Sequence, residues 1–236
     1  MDKMDQATIA DIIEWDILNW SQLIPYWEPI LKKLPADSKV LAFGERNGGL
    51  SLWLALNGFN VVCTDRVGPT NAAIEMHKKY KVADKISYGS FDVVNSPVEN
   101  NKYDLIIAKS VLGGIKSDYK NSTTRNADTR NNAAKNIYDL LKPGGYFLFA
   151  ENMKGSKLLH QIRKLLGKQK GWYYFNFKDI ENLFKIFSNV EIRSFGVIPT
   201  TSHNRFFNRL AFVLNKYCLC LLPAGYRYIA FIQGQK

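Results

Sequence analysis

Cysteine and histidine, the side chains that most often bind zinc, are scarce in this chain, which has three of each among 236 residues. Two of the cysteines, Cys218 and Cys220, lack a second pair at zinc-binding spacing. They are interpreted as apolar packing residues, and no metal site is expected. An odd number of cysteines without a recognisable signal peptide indicates free thiols in a reducing compartment. The expected location is therefore the cytoplasm.

Acidic side chains are rare in the last third of the chain, and this shortage produces most of the net charge of +11. Residues 1–150 hold 18 Lys and Arg against 17 Asp and Glu, whereas residues 151–236 hold 14 against 4. An excess of cations confined to one part of a protein attracts anions. We expect that part to face an anionic small molecule, an anionic membrane surface or, less favourably, nucleic acid.

Internal repeats are absent, and the length and the 46% of hydrophobic residues fit one domain with a sizeable core. Long uncharged runs are absent as well. The most apolar stretch, residues 205–222, contains Arg205, Arg209 and Lys216. Charges inside a lipid bilayer are costly, so the sequence argues against a membrane-spanning helix there.

The most informative stretch is residues 40–65, VLAFGERNGGLSLWLALNGFNVVCTD. The apolar run Val40–Phe43 predicts a strand, and the glycine-rich turn Gly44–Gly49 follows it. The leucine-rich segment 50–56 predicts a helix that ends at a glycine, and a second strand then ends at Asp65. In a βαβ unit this order is typical of a nucleotide-type cofactor site. The glycines allow close backbone approach, and the acid accepts hydrogen bonds from both ribose hydroxyls.

Three segments resemble the class I S-adenosylmethionine (SAM) dependent methyltransferases: the 40–65 unit, YDLIIAKSVLGGI at 103–115 and LLKPGGYFLFAEN at 140–152. The second is similar to the family's fourth strand and the loop after it. The third is similar to its Leu-Lys-Pro-Gly-Gly turn and fifth strand. The resemblance covers roughly residues 15–198. The phrases GERNGGLSLW, KSVLGGI and AEN also resemble a bacterial subgroup often associated with polysaccharide or glycolipid pathways.

The resemblance implies an α/β fold, a Rossmann-like sheet of seven strands, mostly parallel with an antiparallel last strand, with helices on both faces. One methyltransferase domain is expected over residues 1–236: a helical leader at 1–36, a cofactor-binding half at 37–152 and a substrate-side half at 153–236. Alternating strand and helix patterns also predict a parallel sheet. The later strands are predicted at 85–88, 103–108, 146–150, 190–197 and 226–233, and helices near 70–80, 128–141, 156–166 and 178–187.

Two segments outside the cofactor unit could cover it. Residues 8–33 predict amphipathic helices broken at Pro25 and Pro29. In the resembling family such a leader often closes over the cofactor, so Trp20 could touch it; the alternative is packing against the sheet. The polar segment Lys116–Asn132 predicts a loop, either plain surface or a lid over the substrate.

The resemblance also assigns cofactor contacts. Asp65 would hold the ribose, and Phe91 and Asp92 would meet the adenine, although a solvated turn for Asp65 and a helix N-cap for Asp92 are the structural alternatives. Lys109 and Ser110 would line the reaction centre. The full predicted set is Gly44, Glu45, Arg46, Asn47, Gly48, Asp65, Arg66, Phe91, Asp92, Lys109, Ser110 and Trp20.

Two positions depart from the family pattern. Ala42 stands where an acid usually helps to hold the methionine end of the cofactor, and Arg46 replaces the middle glycine of the turn. Glu45 is close enough in sequence to substitute for the missing acid; the alternative is a degenerate pocket. A dinucleotide dehydrogenase is disfavoured because the GxGxxG spacing is missing and the Lys-Pro-Gly-Gly turn is present.

Methyl transfer from a sulfonium needs an oriented nucleophile, and a hydroxyl acceptor benefits from a general base. His160, Glu151 and His203 are the candidate bases, and Lys109 is a further candidate catalytic residue. The Asn/Asp-Pro-Pro-aromatic motif of enzymes that methylate exocyclic amines of bases is absent after the fourth strand. The predicted activity is therefore O-methylation of a saccharide, glycolipid or other anionic small acceptor. The alternatives are an RNA methyltransferase and a non-catalytic protein that docks a membrane or partner.

Two basic stretches, residues 154–170 and 205–222, have the spacing of amphipathic helices. The first carries an apolar stripe of Leu158, Leu159, Ile162, Leu165 and Leu166. The favoured interpretation is that both helices bury their stripes on the protein itself. The alternatives are a peripheral position on the inner membrane face, with the cations near lipid phosphates, and nucleic-acid binding.

Overall fold

The computed structural model describes residues 4–115, 123–166 and 172–236. The helices are α1 (Gln6–Ile13), α2 (Ile17–Trp20), α3 (Leu23–Leu31), α4 (Gly49–Leu56), α5 (Asn71–Lys79), α6 (Thr123–Leu140), α7 (Lys157–Leu165), α8 (Phe177–Phe184) and α9 (Arg205–Tyr217). The strands are β1 (Val40–Phe43), β2 (Val61–Asp65), β3 (Ile86–Ser90), β4 (Tyr103–Lys109), β5 (Leu141–Asn152), β6 (Ser188–Phe195) and β7 (Ile229–Gln235). Short 3-10 turns lie at Ala83–Lys85, Leu112–Gly114, Leu219–Leu221 and Ala224–Tyr226.

The seven strands form one sheet in the order β3-β2-β1-β4-β5-β7-β6. The ladders from β3 to β5 are parallel, and β7 runs antiparallel to both of its neighbours. The predicted α/β, Rossmann-like sheet with an antiparallel last strand is therefore confirmed. In the parallel part, Phe43 pairs with Thr64 and Asp65 pairs with Ser90. This register brings the carboxyl ends of β1, β2, β3 and β4 to one edge, where open α/β sheets bind ligands.

Apolar side chains cover both faces of the sheet. One core layer joins the leader helices α1 to α3 and α4 to the sheet, with Trp20, Trp27 and Trp53 among its largest side chains. The other layer contains residues of α6 and α8, including Ile137 and Phe184. Each layer removes large apolar side chains from water, which is the main stabilising contribution to such a fold. The expectation of helices on both faces is confirmed.

The helices of the leader are not interrupted at its prolines. Helix α3 runs through both Pro25 and Pro29, contrary to the predicted breaks. Pro25 lies in the first turn, where a backbone amide has no partner within the helix, so its missing N–H is tolerated. The breaks instead follow α1, where Glu14 and Asp16 have φ of 72° and 46°. Those values cannot continue a right-handed helix, so the chain turns there.

The predicted loop at Lys116–Asn132 is wrong in its second part. From Thr123 onward the chain belongs to helix α6. The later residues Ala133 and Ile137 of this helix are buried, and their packing stabilises the polar turns before them. Residues 116–122 lie outside the described ranges, and the interpretation of that piece as a lid stays a prediction.

The expected burial of both basic amphipathic stripes is also wrong. On α7 only Leu159 of the predicted stripe is buried. Helix α9 buries Ala211 and Asn215 and turns its aromatic side outward. The stripes stay exposed because each helix contacts the rest of the protein through few residues: α7 through Leu159 and Arg163, and α9 through Ala211 and Asn215. The exposed apolar side chains are Leu158, Ile162, Leu165 and Leu166 on and just after α7, and Phe206, Phe207, Leu210, Val213 and Tyr217 on α9.

Close packing of α1 against the glycine-rich turn gives a first prediction. A Cβ added at Gly49 would lie 2.2 Å from the carbonyl oxygen of Ile12, a backbone atom that cannot rotate away. We expect Gly49→Ala to lower the free energy of unfolding by about 3 kcal/mol, because α1 must shift. Urea denaturation measures this loss.

Gly225→Ala is the matched control, since a Cβ there meets no atom within 4 Å. Equal stability of the two variants would show that the leader does not rest on the turn.

Candidate active site

The turn after β1 is shaped by its glycines. Gly44 and Gly48 have φ of 69° and 73°, in the region that favours glycine. A Cβ at Gly44 would lie 2.2 Å from Cγ2 of Val111, and one at Gly48 would lie 2.6 Å from the ring of His77. In this structure the glycines therefore serve backbone conformation and close contact with neighbouring side chains. Gly44 also lines the cavity described next, and the predicted close approach of the turn to a ligand stays a prediction.

A cavity of about 410 Å³ opens beside this turn, at the carboxyl edge of the sheet. It lies between the leader, the ends of β1, β4 and β5, and the segment before α8. The lining residues are Glu14, Trp15, Gly44, Glu45, Arg46, Asn47, Lys109, Ser110, Asn152, Trp172 and Tyr174. The structure thus brings six of the predicted cofactor residues into one cavity, and it joins two acids and two cations with three aromatic rings.

Lys109 is the buried cation of the cavity. Its Nζ donates a hydrogen bond to the carbonyl oxygen of Ile13 at 2.7 Å and lies 3.6 Å from the carboxylate of Glu14. It also lies 4.0 Å from the ring centroid of Trp15. Burial lowers the pKa of Lys109, and the carboxylates of Glu14 and Glu45 act in the opposite direction. Since these contacts come from the end of α1, Lys109 ties the leader to β4.

Glu14 connects Lys109 to the glycine-rich turn. Its second carboxylate oxygen accepts a hydrogen bond of 2.8 Å from Nδ2 of Asn47 in the glycine-rich turn. One leader side chain therefore contacts both the turn after β1 and the end of β4. Glu14 lies at the break after α1, where its φ is 72°, and its side chain lines the cavity.

Glu45 is the buried acid of the cavity. Its Oε2 accepts a hydrogen bond of 2.9 Å from the amide of Ser51. Burial raises the pKa of Glu45 to about 7, while that hydrogen bond and the charge of Lys109 act to lower it. Ala42, the position of the missing family acid, is buried inside β1. The carboxylate supplied by Glu45 is thus available a few residues later, where it reaches the cavity.

The predicted ribose and adenine residues lie at the neighbouring strand ends, outside the cavity lining. Asp65 ends β2, and its carboxylate makes no hydrogen bond within the described part of the chain. Phe91 is half-buried after β3, with its ring 6.3 Å from that of Phe43. Arg66 is exposed beside Asp65. These side chains continue the carboxyl edge of the sheet away from Lys109, so the candidate site extends over five strand ends, those of β1 to β5.

Asp92 already has partners. Its carboxylate accepts hydrogen bonds from the amides of Val94 and Asn95, at 2.9 and 3.3 Å. Burial alone would raise the pKa of Asp92, but these hydrogen bonds outweigh it and the pKa lies below its ordinary value. Asp92 thus caps the turn at 93–95, and no described helix begins there, so the helix N-cap alternative is wrong and adenine contact stays a prediction.

Glu151 supports the loop after β4. It is buried, and its Oε1 accepts hydrogen bonds from the amides of Val111 and Leu112, at 2.9 and 2.7 Å. Its other oxygen has no partner among the described atoms. The neighbouring Asn152, which does line the cavity, donates a hydrogen bond to Oγ of Ser110 at 2.9 Å. The geometry gives Glu151 a structural position, because it holds the loop that follows Ser110.

The buried carboxyl of Glu151 gives a pH prediction. Burial, opposed by the amides of Leu112 and Val111, raises its pKa from 4.5 to about 7. Its stabilising contribution is complete below about pH 4.5 and is lost as the pH rises through about 7. We expect wild type to lose roughly 3 kcal/mol of unfolding free energy relative to Glu151→Gln between those limits.

Urea denaturation of both proteins at several pH values measures this difference. Glu75→Gln, at an exposed position of α5, controls for the substitution itself. A wild-type-minus-variant difference that stays constant over the range would contradict the prediction.

The two histidine candidates lie elsewhere. His160, on α7, lines a separate cavity of about 220 Å³ together with Lys154, Lys157 and Arg227. His203 is exposed in the segment between β6 and α9. Neither lines the cavity that contains Lys109. The candidate catalytic set of His160, Glu151 and Lys109 is therefore not brought together at one point.

The leader contributes a tryptophan other than the predicted one. Trp20 is buried in the core, edge-on to Phe231, whereas Trp15 lines the cavity. Sequence reasoning also missed Glu14, Trp172 and Tyr174. Helical periodicity alone could not separate Trp15 from Trp20, because the break after α1 turns the chain between them. The aromatic run at 172–177 is visible in the sequence, but no local pattern places it beside the glycine-rich turn.

This chain belongs to the methyltransferase-domain family, whose sequence profile matches residues 18–194. The resemblance found in the sequence is confirmed at the level of that family. No curated protein sequence matches the chain significantly.

Solved structures with the same fold include a Haemonchus contortus phosphoethanolamine N-methyltransferase 2 in complex with S-adenosylhomocysteine. It has a TM-score of 0.65 and 20% identity, covering 92% of this chain and 52% of that one. The geranyl diphosphate C-methyltransferase of Streptomyces coelicolor A3(2) has a TM-score of 0.61 and 9% identity, covering 92% and 77%. A SAM-dependent methyltransferase of Methanosarcina mazei has a TM-score of 0.57 and 16% identity, covering 88% and 96%.

The chain thus spans about half the length of the phosphoethanolamine enzyme. At these identities the likeness shows the fold. It agrees with SAM as the expected cofactor, since the first two structures contain S-adenosylhomocysteine.

Proposed function

We propose that this protein is a SAM-dependent methyltransferase that O-methylates a saccharide, a glycolipid or another anionic small acceptor. The observation that carries the proposal is the cavity at the carboxyl edge of the sheet, where Lys109 and Arg46 meet the rings of Trp15, Trp172 and Tyr174. The rings give an acceptor an apolar wall. Glu14 and Glu45 balance the two cations of the lining, so the preference for an anionic acceptor rests on the charge outside the cavity. The excess of cations in residues 151–236 supports the same acceptor charge.

The residues present fit the expected cofactor. Asp65 presents a carboxylate without a hydrogen-bond partner in the described chain, at the strand end where ribose hydroxyls bind in such folds. Glu45 offers a carboxylate to the ammonium of the methionine end in place of the acid missing at position 42. When bound, SAM supplies the electrophilic methyl group. The protein's own task is to orient the acceptor and exclude water.

The proposed division of the chain assigns cofactor binding to residues 37–152 and acceptor binding to residues 153–236, with the leader 1–36 closing the cavity. Within that division the ammonium group of Lys109 places a positive charge at the reaction centre. Glu151 supports it from behind through the loop after β4. His160 would need a path from its own cavity to act as base, so we propose it as a contact for an extended acceptor.

The deciding experiment is transfer of radiolabel from SAM into fractionated native extract. Incorporation into a saccharide or lipid fraction is expected, and it should be lost with Asp65→Ala. Label in RNA, together with RNA binding that weakens steeply with salt, would replace this proposal by the RNA methyltransferase. A wild-type protein that binds no S-adenosylhomocysteine would favour the non-catalytic alternative.

A further inference from the structure

The exposed stripes of α7 and α9 form an unusual surface. The nine apolar side chains that these helices turn outward are called here the two-helix surface; they are Leu158, Ile162, Leu165, Leu166, Phe206, Phe207, Leu210, Val213 and Tyr217. Leu165 is 86% exposed and Phe206 is 76% exposed. Single exposed apolar residues are common, but rows of them at helical spacing indicate a binding surface.

Cations flank these rows without acids. Exposed Lys157 and Lys164 lie on α7, and Arg205, Arg209 and Lys216 lie on α9. Neither 154–166 nor 205–217 contains an Asp or Glu. A helix with an apolar face bordered only by cations is typical of segments that lie in the interface of an anionic bilayer.

A chain of contacts holds the two helices on the same face of the sheet. The guanidinium of Arg163 on α7 lies 5.4 Å from the ring of Tyr228. Asn19 of α2 donates a hydrogen bond of 2.7 Å to the hydroxyl of Tyr228, and Asn215 of α9 donates one of 3.1 Å to Asn19. Both helices therefore contact one buried cluster, which contains Asn19 and Tyr228.

The surface is also connected to the candidate active site. Arg163 lies 4.4 Å from the ring of Tyr174, which lines the cavity that contains Lys109. Helix α7 therefore stands next to the cavity wall. A partner that covers the α7 part of the two-helix surface therefore lies near one wall of the cavity.

We propose that the two-helix surface docks the protein on an anionic lipid bilayer, with the apolar rows in the interface and the cations at lipid phosphates. This deepens the proposed function and rests on it where it makes the acceptor lipid-linked. A second copy of the chain fits less well, because a two-fold interface would bring cations against cations without acids to pair them. Among the described helices, none has the length and apolarity to cross a bilayer.

The test is flotation of the full chain with vesicles of phosphatidylcholine alone and of phosphatidylcholine mixed with phosphatidylglycerol. Flotation is expected with the anionic vesicles. The double variant Leu165→Ser/Phe206→Ser should bind at least about 10-fold more weakly, since each buried side chain contributes strongly to partitioning. Lys164→Gln and Arg209→Gln should each weaken binding about five-fold.

Matched controls lie outside the surface. Ile186→Ser removes an exposed apolar side chain that follows α8, and Lys78→Gln removes an exposed cation of α5. Neither should change flotation. S-adenosylhomocysteine binding by calorimetry should be the same in all these variants, which shows that each is folded and that the cofactor site is separate.

Three results would overturn the inference: no flotation with anionic vesicles, flotation unchanged in the double variant, or a dimer in solution that the double variant converts to a monomer. Each can occur while SAM-dependent transfer of label continues, and then the proposed function stands without the docking surface. Conversely, vesicle binding without any methyl transfer would leave the surface standing and remove the proposed function.

Discussion

Replacing Asp65 with alanine is expected to weaken S-adenosylhomocysteine binding roughly 100-fold. In the proposed complex this carboxylate accepts hydrogen bonds from two ribose hydroxyls, and a hydrogen bond to a charged group contributes about 1.5 kcal/mol or more. In the structure the carboxylate has no other hydrogen-bond partner in the described residues, so its removal leaves the protein's own contacts unchanged. Isothermal calorimetry of both proteins measures the ratio of dissociation constants.

The control for this experiment is Asp84→Ala, which removes an exposed acid from the 3-10 turn before β3. It should bind the ligand like wild type, and all three proteins should unfold at the same urea concentration. Asp65→Asn should fall between wild type and Asp65→Ala, because the amide keeps an acceptor oxygen and loses the charge. Equal affinities of wild type and Asp65→Ala for S-adenosylhomocysteine would show that the ribose does not bind at the end of β2.

Replacing Asp16 with alanine is expected to lower the free energy of unfolding by about 4 kcal/mol. Asp16 is buried, and its carboxylate accepts hydrogen bonds from the hydroxyl of Tyr228, from Nδ2 of Asn19, and from Thr200, whose amide lies 2.8 Å away. The alanine variant leaves at least two of these donors buried without a partner. Each such donor costs about 2 kcal/mol.

Asp37→Ala, in the exposed segment after α3, is the matched control and should unfold like wild type. Urea denaturation followed by circular dichroism measures both variants. Because Asp16 joins the leader to β7 and to the loop after β6, its loss should also reduce flotation with anionic vesicles. A stability loss below about 1 kcal/mol would show that the cluster contributes little to the fold.

Residues close in sequence made the cofactor unit predictable. The unit β1-α4-β2 was predicted from an apolar strand, a glycine-rich turn and a terminal acid, all within residues 40–65. The parallel direction of the early strands followed from the alternation of strand and helix patterns, because such units join parallel strands through right-handed crossovers. Boundaries were less exact: β5 begins at Leu141 and not near 146, because the Lys-Pro-Gly-Gly segment joins the strand.

The cavity wall could not be predicted in the same way. Trp15 reaches Lys109 because the chain turns after α1, and Trp172 reaches the same cavity from a segment far along the chain. Helical spacing in the leader favoured no particular tryptophan. The contact between Glu14 and Asn47 likewise joins residues that no local pattern links.

By itself the sequence determined the βαβ unit at 40–65, the parallel part of the sheet and the uneven charge, because each depends on local periodicity, turn chemistry and composition. The antiparallel last strand was implied by the family resemblance. Only the tertiary structure decided which side chains of the leader line the cavity, and that the stripes of α7 and α9 remain in water. A pattern of apolar residues shows which side of a helix avoids water. Whether the protein itself covers that side depends on how distant segments pack together. Such contacts join residues up to 212 positions apart, as between Asp16 and Tyr228.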